Sequence, residues 1–516
     1  MLQLRPKQIT SFGKAIANKR FIDLSHAGTG KTAPACCLTG FAIQGTPTHP
    51  GEVETSTSIP FRLTEFPKSA KKAIGGNITG RAIWIQPSSL MEKNRKELLM
   101  WNSFLTQDQV KVVKGTAIQK KKICLDPSVA IWVMTAEGFA KHYAWMLAEF
   151  PDIVQIVCDE PHLYYRGFKS KRTQFFANTV PKHVRIHFLT ATPTPRGKLT
   201  SAYIYCHMIQ KSYYGCYDWF VNTHALLDDY GNPSVWVNHD TLWKFLENYS
   251  ICWTAKDMYG EVDEFIVRDV VPMHPKVEET YRNFESQGIA DIEGAVISAT
   301  SGGVDSLRVR QMLAHPHKIS LPIEWDHRGE VLRKQEYSLF EGITPKLERI
   351  VEYAEEGQPI IIFGSFTAEI EAIADTLRKK DFKVGVIHGQ VSQSGRNTVD
   401  EKFRAGELDA VVCSAATAGI GLNWGHVDTV IFHSLNYGDD EFLQAVARAK
   451  RGIRTNPLRI VLLEYEDTID QLIMWAIHHN SKSSHNSNKN NPIIYFPEVK
   501  TSGDKLGPLG LSMDYI

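Results

Sequence analysis

HAGTGKT, at residues 26–32, follows the apolar run of residues 21–24 and precedes a stretch that favours a helix. Gly28 and Gly30 let backbone N–H groups point into one concavity, as a bound phosphate requires. Lys31 supplies a positive charge for the β- and γ-phosphates, and the Thr32 hydroxyl can hold Mg²⁺. These residues therefore predict a strand, a phosphate-binding loop and a helix that together bind a nucleoside triphosphate.

Two other interpretations of this loop stay open at this point. Ser25 stands where the usual triphosphate pattern has glycine, and GTGKTA at residues 28–33 also fits the looser fingerprint of dinucleotide-binding loops. A glycine-rich turn without any ligand is the plainest alternative. The Lys31–Thr32 pair favours a triphosphate, because a dinucleotide site has no need of that pair.

Composition excludes several classes of protein. The chain has 516 residues, 43% of them hydrophobic, with 58 Lys and Arg against 57 Asp and Glu. Such a length predicts two to four domains, and a balanced charge leaves any nucleic-acid surface to local basic stretches such as residues 111–122 and 169–172. The eight cysteines form no CxxC pair, which argues against a structural zinc or a disulfide framework. With no signal peptide and no membrane-length apolar run, we expect a cytoplasmic protein without membrane partners.

Short apolar runs alternate with helical stretches in two blocks, which predicts two α/β domains with parallel sheets. The runs of the first block are residues 82–85, 131–134, 153–158 and 186–189, and those of the second are residues 360–363, 384–387, 410–413, 429–432 and 459–463.

The segments between these blocks set the expected domain boundaries. We predict a first domain over residues 1–272, with a surface insertion at 45–80 and a helical insertion at about 199–255. A helical linker follows at 273–335, then a second domain at 336–480. The polar stretch SKSSHNSNKNN opens a tail, residues 481–516, that is expected to be flexible because it cannot bury a core.

A pair of carboxylates follows the apolar run of residues 153–158. At the end of a buried strand, Asp159 would hold Mg²⁺ through water and Glu160 would polarise the attacking water, although adjacent carboxylates can also be mere surface caps. Downstream, TATPTPR at residues 190–196 offers Thr190 and Thr192 as hydroxyls that could relay the state of the γ-phosphate. Taken alone, this second stretch would be an ordinary Thr/Pro loop.

In this order, HAGTGKT, DEPH and TATP resemble motifs I, II and III of superfamily 2 helicases and translocases. QAVARAKRGIR (444–454) resembles motif VI, and SAATAGIGLNWGHVDTVI (414–431) is similar to motif V of the Swi/Snf-type, chromatin-remodeller-like group. IIIFGSF (360–366) and IHGQVSQSGR (387–396) resemble motif IV and the loop after it, while LRPKQ (4–8) resembles the adenine-reading segment. IQPSSL (85–90) and VMTAE (133–137) stand where motifs Ia and Ib belong. The resemblance covers residues 2–475, and the absence of a histone-reading module is typical of a compact phage or bacterial member.

The resemblance implies two RecA-like domains, joined by the helical insertion and linker, that close on ATP. Gln8 would read adenine, and Asp159 and Glu160 would handle Mg²⁺ and water. Arg448 and Arg451 would reach the γ-phosphate, with Gln444 sensing it. Nucleotide contacts would come from Gly28, Thr29, Gly30, Lys31, Thr32 and Gly421.

The resemblance also implies nucleic-acid contacts at motif positions, made by hydroxyls and backbone N–H groups on phosphates without reading sequence. These positions are Gln86, Ser88, Ser89, Thr135, Ser365, His388, Gly389 and Ser414. The expected partner is DNA, duplex or branched, with a single strand or RNA left open, and the protein is expected to be a monomer. A phage-encoded member would act in the host cytoplasm.

Four departures from the Swi/Snf pattern concern regulation and strand grip. Leu24-Ser25-His26 stand where an acidic residue precedes motif I, and DEPH replaces DEAH. ICWTAK at residues 251–256 replaces an arginine-rich stretch, and Ala416 stands where motif V often has a basic residue.

From the resemblance we expect an ATP hydrolase that moves along duplex or branched DNA, remodelling forks and junctions or displacing bound proteins. One alternative is a strand-separating helicase on DNA or RNA. Another is a DNA-binding scaffold without hydrolysis, against which the intact Lys31, Glu160, Arg448 and Arg451 argue.

Overall fold

The computed structural model describes residues 3–45, 78–195, 198–260, 263–287, 289–292, 295–298, 302–325, 331–418, 422–450, 454, 456–487 and 492–497. The chain divides into two compact units, one of residues 1–260 with 482–492 and one of residues 261–481 with 493–516. We call them unit one and unit two.

Unit one contains a parallel sheet of seven strands among its described residues, in the order β3-β4-β2-β5-β6-β1-β9. Its strands are β1 (Arg20–Asp23), β2 (Arg81–Ile85), β3 (Val110–Val112), β4 (Ile131–Met134), β5 (Ile153–Asp159), β6 (Arg185–Leu189) and β9 (Ser250–Ile251), while β7 (Ala225–Leu227) and β8 (Pro233–Trp236) form a separate antiparallel hairpin. Its helices are α1 (Pro6–Ala17), α2 (Thr32–Gln44), α3 (Met91–Trp101), α4 (Ala117–Cys124), α5 (Ala136–Glu149), α6 (Lys171–Thr179), α7 (Tyr203–Ile209), α8 (Tyr217–His224), α9 (His239–Glu247) and α10 (Ala255–Tyr259).

The strands of unit one form where uninterrupted apolar sequence can be covered on both faces. Every residue of β2 and β4 is buried, and Trp84 and Trp132 are completely enclosed. Continuous rather than alternating apolar runs are what a parallel sheet with helices on both faces requires. Each such buried side chain contributes about 1.5–3 kcal/mol of transfer free energy to folding.

Unit two contains a second parallel sheet, in the order β10-β19-β18-β15-β17-β16. Its strands are β10 (Glu264–Val270), β15 (Ile360–Gly364), β16 (Val384–Ile387), β17 (Ala410–Ser414), β18 (Thr429–Phe432) and β19 (Leu458–Glu464), with two hairpins, β11 (Ile289–Ile292) with β12 (Ala295–Ser298) and β13 (Ile319–Trp325) with β14 (Val331–Tyr337). Its helices are α11 (Pro275–Gln287), α12 (Gly302–Ala314), α13 (Pro345–Glu355), α14 (Thr367–Arg378), α15 (Gln393–Arg404), α16 (Ala415–Ala418), α17 (Asp439–Ala449) and α18 (Ile469–Ser487).

The predicted fold class is confirmed, because both blocks form parallel α/β sheets with all nine predicted apolar runs as strands. Three sheet strands were missed. β3 and β9 are only three and two residues long, and β10 carries charges because it lies at the edge of its sheet, where one side is open.

Two expectations about the connecting segments are wrong for the residues that the structure describes. Residues 273–335 contain two hairpins besides α11 and α12, so the linker is not purely helical. The tail does not begin at residue 481, because α18 continues to Ser487 and the Ser481 hydroxyl accepts a 2.9 Å hydrogen bond from the Ile494 N–H. Ile494 and Phe496 are buried in the core of unit two, and burial of these two apolar side chains stabilises the packing of this part of the tail.

Residues 199–255 contain the helices α7, α8 and α9, but they also contain the β7–β8 hairpin and the sheet strand β9. The expected surface insertion at residues 45–80 lies outside the described residues from 46 to 77. No helix among the described residues has both the length and the apolar character needed to span a bilayer.

Candidate nucleotide and nucleic-acid sites

The glycine-rich loop joins β1 to α2 in unit one, as predicted. Gly28 and Gly30 have φ angles of 88° and 81°, in the left-handed region that side chains disfavour. The Thr29 hydroxyl donates a 2.7 Å hydrogen bond to the His26 carbonyl, which closes the turn before α2 begins at Thr32. The resulting loop at a helix N-terminus has the geometry of an anion site.

Lys31 turns back into this loop. Its ammonium donates to the carbonyl of Ser25 at 2.6 Å and to that of His26 at 3.2 Å. Beneath the loop, the buried carboxylate of Asp23 accepts a 3.0 Å bond from the Ser25 N–H, and burial raises the pKa of this carboxyl against the opposing charge of Lys31. A phosphate group offers the ammonium a stronger, charged acceptor than these carbonyls.

Asp159 ends β5, beside the loop, and only 7% of its surface is exposed. Its Oδ2 atom accepts a 2.8 Å hydrogen bond from the Asn94 amide. Burial and the neighbouring charge of Glu160 raise the pKa of Asp159 to about 6, while the Asn94 bond and Lys31 act in the opposite direction. A carboxylate held this way ionises near neutral pH, and a divalent cation beside it would favour the charged form.

Glu160 has a φ angle of 52°, a left-handed conformation that a non-glycine residue adopts only under constraint. Its N–H donates a 2.8 Å bond to the Leu189 carbonyl at the end of β6, which fixes the turn. Its Oε2 atom lies 3.4 Å from Nδ1 of His162. Adjacent strands of one sheet therefore hold this carboxylate in place.

His162 connects the carboxylates with the loop after β6. The buried ring has Nδ1 2.9 Å from the Thr190 hydroxyl and Nε2 3.2 Å from the Thr192 hydroxyl. The Thr192 N–H also donates to the Thr190 hydroxyl at 3.1 Å. A continuous contact path thus runs from Glu160 to Thr192, while a coupling role for the two threonines stays a prediction.

Gln8 in α1 also lies against the glycine loop. Its side-chain amide donates a 3.1 Å bond to the Gly30 carbonyl and accepts a 2.9 Å bond from the Arg5 N–H. A methyl group in place of the Gly30 hydrogen would lie 2.6 Å from the Gln8 amide nitrogen, so this close approach needs glycine. The segment expected to read adenine and the segment expected to bind phosphate are therefore adjacent.

The donor set fits one hard divalent cation. Asp159 and Thr32 supply oxygen atoms beside the loop, and no group of three or more His, Cys, Asp or Glu residues that could hold a metal occurs in the described part of the chain. Mg²⁺ typically takes one or two protein oxygens and completes its octahedron with phosphate and water oxygens. Thr32 and Asp159 would thus hold Mg²⁺ only together with a triphosphate.

The predicted nucleic-acid contacts of unit one differ in their exposure to solvent. Ser88 is exposed and Ser89 half-buried in the turn after β2, and Thr135 caps α5 through a 3.2 Å bond from the Gly138 N–H. β2 and β4 are neighbours in the sheet, so these residues share its carboxyl edge. Gln86, in contrast, is completely buried and accepts a 2.7 Å bond from Asn94, and its role as a nucleic-acid contact stays a prediction.

In unit two the carboxyl ends of β15, β17 and β18 line an open, shallow cleft. β15 lies between the other two strands, a switch point where open α/β sheets bind ligands. The Ser365 N–H donates to Oε2 of buried Glu369 at 2.8 Å and to the Ser434 hydroxyl at 3.0 Å. The polar lining comprises Gly364, Ser365, Ser434, Asn436, Gly438 and Glu441.

The remaining predicted residues of unit two lie in different surroundings. The Ser414 hydroxyl caps α16 through a 3.3 Å bond from the Thr417 N–H. The buried His388 ring lies 2.6 Å from Oε1 of Glu371, and Gly389 beside it is exposed.

Arg448 and Gln444 lie on α17. Arg448 is buried and donates a 3.4 Å bond to the Leu422 carbonyl, and Gln444 is half-buried. Arg451, Gly421 and the side chain of Ala416 lie outside the described residues, and the roles of the two arginines stay predictions.

Three contributors to the site of unit one were not predicted from the sequence. Asn94 holds Asp159 but belongs to a polar helix without any motif. Trp253 and Tyr259 contact the loop segment from more than 220 residues away. Trp253 lies in the stretch that departs from the family pattern, and no motif marks Tyr259.

Comparison with known proteins agrees with this geometry. Residues 345–452 match the helicase conserved C-terminal domain. A "Chromodomain-helicase-DNA-binding protein 1-like" from Danio rerio is 28% identical over 153 residues, which is 26% of this chain and 15% of that protein. "CHD3-type chromatin-remodeling factor CHR7" from Arabidopsis thaliana is 22% identical over 324 residues, 62% of this chain and 26% of the relative. The chain therefore spans about a quarter or less of the length of these relatives.

Helicases named for RNA also match. "ATP-dependent rRNA helicase rrp-3" from Neurospora crassa is 30% identical over 144 residues, which is 28% of each chain. A solved structure of a S. cerevisiae Dbp5 variant bound to RNA and ADP BeF3 aligns with a TM-score of 0.51 at 11% identity, covering 92% of this chain and 86% of that one. This structural likeness shows a shared fold of tandem RecA-like domains.

Proposed function

We propose that this chain, whose residues 345–452 match the helicase conserved C-terminal domain, is a superfamily 2 helicase that hydrolyses ATP to move along duplex or branched DNA. The observation that supports this most is the grouping in unit one of Lys31 in a glycine loop, buried Asp159, and Glu160 in contact with His162. A loop without a ligand has no use for carboxylates at the end of another strand of the same sheet.

Each residue has a role that its surroundings support. Lys31 exchanges the Ser25 and His26 carbonyls for phosphate oxygens, and its charge offsets theirs. Asp159 and Thr32 would hold Mg²⁺, which neutralises charge that develops on the phosphates. Glu160 orients the attacking water, and His162 fixes its carboxylate from behind. We assign the cation that stabilises the transition state to Arg451, with Arg448 and Gln444 beside it, on the resemblance of residues 444–454 alone.

The contact path from Glu160 through His162 to Thr192 supports the proposal of a motor, since it connects the hydrolytic carboxylate with the loop after β6. Ser88, Ser89 and Thr135 share the carboxyl edge of unit one, and Ser365 and Ser414 the corresponding edge of unit two. Short hydroxyls suit phosphate contacts that are blind to sequence and can be released at each step.

The rate of ATP hydrolysis, measured with no nucleic acid, single-stranded DNA, duplex, fork, four-way junction and RNA, tests this proposal. We expect duplex or branched DNA to stimulate hydrolysis most. In Glu160→Gln, ATP binding should persist while hydrolysis is lost, because the amide cannot act as a base. A rate that duplex DNA does not change, or hydrolysis by Glu160→Gln at the wild-type rate, would refute the corresponding assignment.

Strand separation on DNA or RNA is a second candidate, which the β7–β8 hairpin favours. Tyr230 is 90% exposed at its tip, where the Asp228 side chain accepts bonds from the N–H groups of Tyr230 and Asn232. An outward aromatic ring on a rigid turn can stack on the last base pair of a duplex. Release of a labelled strand from a fork at saturating ATP would support this candidate, and no release would exclude it.

A further inference from the structure

Residues 251–259 pass directly over the glycine loop of unit one, and we call this segment the strap. Its first half pairs with the chain that leads from β1 into the loop. The Leu24 N–H donates to the Ile251 carbonyl at 2.7 Å, and the His26 N–H to the Trp253 carbonyl at 2.8 Å. The Trp253 N–H in turn donates to the buried Ser25 hydroxyl at 3.0 Å.

These bonds bring together two of the places where the chain departs from the Swi/Snf pattern. Ser25 and His26, before the loop, contact the segment that replaces the arginine-rich stretch. The Ser25 hydroxyl accepts a bond that a glycine at this position could not accept. The two departures are therefore parts of one interaction.

The second half of the strap contacts the loop itself. The Tyr259 hydroxyl donates a 2.6 Å hydrogen bond to the Gly28 carbonyl, and the Arg5 guanidinium lies 4.7 Å from the centre of the Tyr259 ring. The Trp253 indole N–H donates to the Ser11 hydroxyl at 3.0 Å, and the Lys7 ammonium lies 4.3 Å from the Trp253 ring. The strap is thus fixed to α1, the helix that carries Gln8.

We propose that the strap is a positioning element for the phosphate loop, with Tyr259 as its principal contact. This inference rests on the proposed nucleotide site. Gly28 has no side chain and a φ angle of 88°, so its own conformational preference does not select one orientation of the peptide. A planar trans peptide directs its carbonyl and its N–H to opposite sides. Tyr259 holds the Gly28 carbonyl outward and thereby turns the Thr29 N–H into the loop.

The Thr29 N–H makes only a weak hydrogen bond within the loop. Its bond to the His26 carbonyl is 3.3 Å long, beyond the usual length of such bonds, so a phosphate oxygen can replace that acceptor. Preorganising a loop raises affinity by reducing the ordering that binding must supply. Because the loop holds groups common to both nucleotides, the strap should strengthen ATP and ADP binding alike.

Tyr259→Phe tests this role, because it removes the hydroxyl and keeps the ring beneath Arg5. A single hydrogen bond of ordinary net strength predicts a rise of about three- to tenfold in the dissociation constants of ATP and ADP and in KM for ATP. We expect kcat to stay within about twofold, since the contact serves substrate and transition state equally. Tyr213→Phe, which removes a hydroxyl from a 45% exposed tyrosine of the same unit, is the matched control and should bind both nucleotides as the wild type does.

Trp253→Phe is a second variant, which removes the bond to Ser11 and keeps an aromatic ring over which Lys7 can lie. It should weaken both nucleotides in the same sense and leave kcat unchanged. Equilibrium binding of a fluorescent ATP analogue serves as a readout that is independent of hydrolysis. If the wild type binds ATP without hydrolysing it, the proposed function fails, yet the comparison with Tyr259→Phe still tests the strap. Nucleotide affinities of both strap variants within twofold of the wild type, or a fall in kcat at unchanged KM, would overturn the inference.

Discussion

Removal of the Asn94 amide should shift the acid limb of ATP hydrolysis towards neutral pH. Asn94 donates hydrogen bonds to Oδ2 of Asp159 at 2.8 Å and to Oε1 of Gln86 at 2.7 Å. The bond to Asp159 favours the ionised carboxylate, whose pKa burial and the charge of Glu160 already raise to about 6. Asn94→Ala keeps the helix and deletes this donor.

The size of the shift follows from the energy of a hydrogen bond to a charged group. Such a bond contributes about 1.5–3 kcal/mol, and one pKa unit corresponds to about 1.4 kcal/mol. The pKa of Asp159 should therefore rise by about one unit or more. At pH 7 the ionised fraction would fall from about nine-tenths to about one-half or below, while at pH 9 both proteins would be almost fully ionised.

The assay is kcat/KM for ATP measured between pH 5.5 and 9, because this quantity reports ionisations of the free enzyme. We expect the acid limb of Asn94→Ala to lie about one unit higher than in the wild type, with the two rates converging at alkaline pH. Asn248→Ala, at an exposed asparagine of the same unit, is the control and should leave the profile unchanged. An acid limb of Asn94→Ala that coincides with the acid limb of the wild type would refute the role given to Asn94.

Two further predictions concern Asp159 and Thr192. Asp159→Asn should abolish hydrolysis yet stabilise unit one at pH 7 by about 3 kcal/mol. Folding raises the pKa of the Asp159 carboxyl from 3.8 to about 6, so ionisation of this carboxyl destabilises the folded protein as the pH increases through that window. Urea unfolding at pH 4 and pH 7 measures this effect, and equal stability of both proteins at pH 7 would contradict it. Thr192→Val removes the hydroxyl that contacts His162 and should reduce DNA-stimulated hydrolysis by about three- to tenfold while the rate without DNA stays within about twofold. An equal loss of both rates would show that Thr192 serves hydrolysis itself and not its coupling to DNA.

Much of the fold was predictable because its signals are local. A parallel strand covered on both faces needs a continuous apolar run, and all nine predicted runs became strands. β9 has two residues, and β10 is a partly exposed edge strand that includes Arg268 and Asp269, so neither has a long apolar run. The hairpins of residues 289–298 and 319–337 were missed for a similar reason, because pairing partners rather than apolar runs define them.

The candidate site likewise contains residues that belong to local motifs and residues whose role depends on tertiary contacts. Lys31, Asp159 and Glu160 could be predicted as site residues because they belong to contiguous motifs at strand ends. The motif position of Gln86 does not reveal that its side chain is buried and accepts a hydrogen bond from Asn94. Asn94 has no motif of its own, and only its distance to Asp159 gives it a role.

The sequence by itself determined the α/β class, the glycine loop with its lysine, and an order of motifs that resembles that of superfamily 2 helicases, since periodicity and short motifs are properties of neighbouring residues. Only the tertiary structure decided what surrounds that loop. Ser25 looked like an unexplained substitution until folding brought Trp253 within 3.0 Å of its hydroxyl and Tyr259 within 2.6 Å of the Gly28 carbonyl. Contacts across more than 220 residues depend on how the sheet closes at β9, and no local pattern records that closure.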